Sequence, residues 1–97
     1  MVVGVLKMTL GIEGAYSLKE KRGVVRRVLS RLKNRFDVAA AEVGDLDLYN
    51  RATLGVVAVS NDASLVNSVL DQVVDATESI GAGMADLLDT QLEILHL

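Results

Sequence analysis

Residues 2–12, VVGVLKMTLGI, repeat with a period of two: Gly4, Leu6, Met8, Leu10 and Ile12 share one side of a pleat, and Val3, Val5, Lys7 and Thr9 share the other. The pattern predicts a first strand that is apolar on both faces. Gly11 and Gly14 then loosen the chain, and Ser17 followed three residues later by Glu20 is a capping-box pair that opens a helix near Leu18. Within that helix Leu18, Val25, Val28, Leu29, Leu32 and Phe36 fall in one stripe at about 100° per residue, the face to be buried.

Asp37–Gly44 returns to an extended pattern, DVAAAEVG, and Arg51–Ser60, RATLGVVAVS, is a second strongly β-branched run. Between them GDLDLYN is rich in turn formers yet carries Leu46, Leu48 and Tyr49, which predicts a hairpin with a partly apolar, covered tip over Asp45–Asn50. Asn61 and Asp62 are N-cap residue types, and Leu65, Val66, Val69, Leu70, Val73, Val74 and Ile80 then recur at helical spacing up to Gly81 and Gly83. Asp86–Leu97 reads as a fourth strand.

Strand, helix, strand, strand, helix, strand in one domain of residues 1–97 predicts an α+β fold, the ferredoxin-like βαββαβ plait: a four-stranded antiparallel sheet with two helices on one face. Right-handed crossovers put both helices on the same side, and in the usual order of this plait the first and third strands are central. Their outer side then carries Val3, Val5, Val57 and Val59, which the helices cannot reach. An open valine-rich face predicts a homo-oligomer, a dimer for preference, joined through the open sheet face.

The chain has no cysteine, which excludes disulfides and thiolate chemistry and suits a reducing cytoplasm. The apolar N-terminus has no basic leader, and Lys7 and Thr9 interrupt it well short of the about eighteen residues a membrane span needs. A cytoplasmic protein with no membrane partner is the expectation.

Charge changes this picture most. Ser17–Arg35 holds eight of the ten basic residues. Residues 1–35 carry nine basic and two acidic groups, a balance of +7, whereas residues 36–97 carry one basic and eleven acidic groups, a balance of −10. Around the helix Lys19, Arg22, Arg26 and Lys33 form one flank of the apolar stripe and Arg27, Arg31 and Arg35 the other, with Gly23 and Ser30 on the outer crest. Lys21 falls at the stripe's edge, where its stem is expected to lie along the core with the ammonium in water.

Lys19, Lys21 and Arg22 stand in the first turn, where the helix dipole disfavours cations by about 0.3–1 kcal/mol each when exposed. That placement implies either pairing with acids such as Glu42, Asp45 or Asp47, or an anionic partner. A phosphate backbone matches several spaced Lys and Arg groups. The expected partner is RNA or the ribosome, contacted by Lys19, Arg22, Arg26 and Lys33 with help from Arg27, Arg31 and Arg35. Base reading is not expected, because Tyr16, Phe36 and Tyr49 are the only aromatics and no strand carries a stacking platform. The competing reading is a homo-oligomeric structural module, or one holding a small ligand near the hairpin, with no nucleic-acid partner.

No catalytic constellation emerges, so the chain is not expected to be an enzyme and no cofactor or metal is predicted. Glu42, Asp45 and Asp47 near the hairpin, with Arg51 after it, suggest paired carboxylates for acid–base work or a hard-cation site. The stronger reading is that they are ordinary turn and edge-strand residues, with Arg51 placed to pair with one of them. His96 is the sole histidine, too few for an imidazole metal site or a serine triad. The loop GIEGAYS precedes a helix as phosphate loops do, but it lacks the GK[ST] ending, the GxGxxG spacing and the arginine that ferredoxin-like acylphosphatases place there.

Three segments in this order and spacing, SLKEKR at 17–22, AEVGDLDLYNRATLG at 41–55 and VAVSND at 57–62, resemble the YlxP-like family of uncharacterised bacterial proteins. The resemblance implies a ferredoxin-like fold and genes often placed beside those for translation initiation and ribosome maturation. It implies no catalytic residues. Gly23 departs from the family pattern, which has a larger helix former there.

Overall fold

A computed structural model describes residues 1–97. Its elements are β1 (Val2–Ile12), α1 (Leu18–Arg35), β2 (Ala39–Gly44), β3 (Arg51–Ser60), α2 (Ala63–Gly81) and β4 (Ala85–His96). The strands form one sheet in the order β2-β3-β1-β4, with every neighbouring pair antiparallel. This is the ferredoxin-like plait, with β1 and β3 central and β2 and β4 at the edges. β1 spans the residues its two-residue period marks out and β3 those of the β-branched run, while β2 starts two residues later than the pattern predicts and β4 one residue earlier.

The inward residues of β1, from Val2 through Leu6, Met8 and Leu10 to Ile12, join Leu54 and Val56 of β3 beneath the helices. Val25, Val28 and Leu32 close this core from α1, and Val66, Leu70 and Val73 close it from α2. Gly4 makes the closest approach: a Cβ there would lie 2.4 Å from Val66 Cγ1 and 2.5 Å from Leu70 Cδ1. α2 packs on β1, β3 and β4, whereas α1 packs on β2 and α2. No helix is long and apolar enough to cross a membrane.

Two bulges shape the open side of the sheet. Between Glu42 and Gly44 the β2–β3 register shifts, and the extra Val43 lies over Gly55, where a Cβ would approach Val43 Cγ1 to 3.0 Å. Between Thr9 and Leu10 the β1–β4 register shifts, and Leu88 lies over Gly11. Val59 on this side is 63% exposed.

Candidate nucleic-acid interface

α1 begins at an N-cap: Ser17 Oγ accepts from Glu20 N at 3.1 Å, and Glu20 Oε2 accepts from Tyr16 N at 3.3 Å. The return bond of the capping box therefore goes to the residue before the cap. The helix buries Lys21, Val25, Val28 and Leu32 and turns the rest of its surface outward. Lys19, Arg22, Arg26, Arg27, Arg31, Lys33 and Arg35 are all exposed.

Lys21 departs from expectation. Its side chain is fully buried, and Nζ lies 2.8 Å from Glu42 Oε2 and donates to Asp45 O at 2.6 Å. The aligned hydrogen bond goes to the carbonyl, and the carboxylate contact is a charge contact without hydrogen-bond alignment. The ammonium stays out of water because β2 turns Glu42 toward the helices, on the same side as Ala40. Asp45 adopts φ 58°, which a short polar side chain tolerates. Its Oδ2 accepts from Thr53 Oγ1 at 2.8 Å, and its carbonyl also accepts from Leu48 N at 3.1 Å. Asn50 O accepts from Ile12 N at 2.9 Å, so the hairpin is tied to α1, β3 and the end of β1.

The carboxylates considered for acid–base or cation work thus have separate duties. Glu42 faces Lys21, Asp45 holds Thr53, and Arg51 makes no ion pair with any of them. The hairpin tip is also uncovered: Leu46, Leu48 and Tyr49 are exposed, Tyr49 by 48%. The turn residues shape the backbone there, and no other element reaches over it.

Lys21–Glu42 is the one ion pair in the chain. The pairing expected between α1 and the acidic second half is confined to it, and Asp71, Asp75 and Glu78 of α2 are exposed and unpaired. The two flanks of α1 differ. Arg27 Nη1 contacts Met84 Sδ at 4.0 Å, Arg31 and Arg35 line a groove with Asn34, Ser79 and Ile80, and the Arg35 guanidinium stands 5.3 Å from the Phe36 ring centroid. Lys19, Arg22, Arg26 and Lys33 make no side-chain hydrogen bond, ion pair or ring contact. Sequence reasoning missed the Asp45–Thr53 bond, for which no local signal exists.

The family model described as "Protein of unknown function (DUF503)" matches residues 3–91. The chain belongs to this family. It is 35% identical over 78 residues to the uncharacterised protein YlxP of Bacillus subtilis (strain 168), covering 80% of this chain and 85% of that protein. Among solved structures it is similar to a designed protein with a ferredoxin fold, at TM-score 0.61 and 11% identity over 95% of this chain and 84% of the other. A putative chlorite dismutase, TA0507, aligns at TM-score 0.57 and 12% identity over 97% of this chain but only 44% of its own length. The cofactor-independent oxygenase SnoaB of Streptomyces nogalater aligns at 0.51 and 11%, over 99% and 92%. At these identities the structural likeness is one of fold alone.

Proposed function

We propose that this family member is an RNA- or ribosome-associated binding protein that holds phosphates along α1. Seven exposed cations on one helix, none in an ion pair within the chain, carry the reading. Gathering them on one helix concentrates positive potential on one part of the surface, which draws a polyanion. The resemblance to a family encoded beside translation and ribosome-maturation genes supports a ribosomal target. Binding without a chemical step is the proposed activity.

Ribosomal RNA fragments titrated with the protein from about 50 to 200 mM salt test it. Four phosphate contacts give a slope of about −3 in log K against log salt. The double reversal Arg26→Glu with Lys33→Glu abolishes binding while the fold persists. No binding at low salt, or binding indifferent to salt, would refute the reading and leave a homo-oligomeric module without a nucleic-acid partner.

A further inference from the structure

We infer that the open face of the sheet is a two-fold interface between two copies of this chain. The inference stands apart from RNA binding, because it uses the opposite side of the molecule.

The outward side of β1 and β3 presents Val3, Val5, Val57 and Val59. Beside them Ala39, Ala41 and Val43 of β2, with Gly55, line a groove of about 390 Å³ against Lys7. A sheet face of this composition is ordinarily covered, since a contiguous apolar patch left in water favours association.

Charge selects a second copy as the occupant. On the helical side α1 carries seven exposed cations and one acid, so two copies that set α1 against α1 repel. The open face carries both signs: Lys7 and Arg51 on the central strands, and Asp86, Asp89 and Glu93 on β4. None of these five is in an ion pair within the chain. A two-fold interface sets one surface against itself, so it needs apolar positions to meet apolar ones and both signs of charge to meet each other. This face has both.

Its size fits as well. Four strands about 4.8 Å apart and about ten residues long, at about 3.3 Å per residue, span about 600 Å². Two such faces bury about 1,200 Å², the lower bound of a specific interface. Stacked at about 10 Å, the sheets leave both α1 surfaces pointing away from the junction.

Sedimentation of the chain at about 50 µM in RNA-free buffer is expected to give twice the 10.4 kDa chain mass. Val59→Asp, which changes a side chain outside the helix-covered core, is expected to give the monomer with an unchanged far-UV spectrum. A monomeric wild type, or a Val59→Asp protein that remains dimeric, would overturn the inference. Should Val59→Asp unfold, a second measurement decides. The chain lacks cysteine, so Val57→Cys provides one thiol, and its maleimide labelling is expected to slow at least tenfold between about 1 and 100 µM protein. A rate independent of concentration would overturn the inference equally.

Discussion

Lys21 Nζ lies 2.8 Å from Glu42 Oε2, with the lysine side chain wholly buried and the glutamate side chain 16% exposed. The contact joins the first turns of α1 to β2 across 21 residues of sequence, and the second bond from Nζ, to Asp45 O, extends it to the hairpin. A buried charge held this way is sensitive to loss of either partner alone, because the survivor keeps its desolvation cost. Lys21→Met is expected to destabilise the fold by about 3 kcal/mol, a large part of the stability of a domain this size. Adding Glu42→Leu is expected to restore most of that loss. Urea denaturation of the single and double variants measures both, and a double variant as unstable as Lys21→Met would contradict the account.

Gly23 stands on the exposed crest of α1, and a Cβ there meets nothing within 4 Å. A mid-helix glycine costs about 0.5–1 kcal/mol relative to alanine through the freedom it loses on folding. Gly23→Ala is therefore expected to raise the thermal midpoint by about 4 °C. Calorimetry checks it, and a lowered midpoint would mean that the crest is packed in solution.

What could be read from the sequence follows the range of the forces involved. β1 declared its ends through alternation and β3 through its β-branched run, since both strands are apolar along their length. α1 declared its start through Ser17 and Glu20, a signal contained in four residues. Lys21 could be placed at the edge of the apolar stripe but not inside the core. Whether its ammonium reaches water depends on Glu42, and the helix pattern contains no trace of that residue. The parity of Ala40 and Glu42 along β2 was the available clue. The left-handed turn at Asp45 and its bond to Thr53 depend on a register shift in β2 that alternation does not encode. The apolar hairpin tip suggested a cover, yet hydrophobicity alone cannot say whether a neighbour exists, and Leu46, Leu48 and Tyr49 face solvent.

At Gly4 the sheet meets α2 with no room to spare. Alanine there would press its methyl into Val66 and Leu70 at 2.4 and 2.5 Å, and both side chains are buried among neighbours that restrict their retreat. Overpacking of this kind costs about 1–3 kcal/mol. Gly4→Ala is expected to lower the urea midpoint accordingly, and Gly4→Ala with Val66→Ala to recover part of it. Equal midpoints for Gly4→Ala and wild type would show that α2 can lift from the sheet at little cost.

The two flanks of α1 separate most clearly in a binding experiment. Lys19, Arg22, Arg26 and Lys33 have no competing contact, so each is available to a phosphate at full charge. Arg27 touches Met84, and Arg31 and Arg35 border the end of α2. Single alanine substitutions on the first flank are expected to reduce the salt slope by about 0.7–0.9 each. Substitutions at Arg31 or Arg35 should reduce it by less. The Lys21→Met, Glu42→Leu double variant supplies the control, since it removes a cation that is buried and should leave the slope unchanged. A larger effect from Arg31 and Arg35 than from Arg26 and Lys33 would move the RNA path to the groove between the helices.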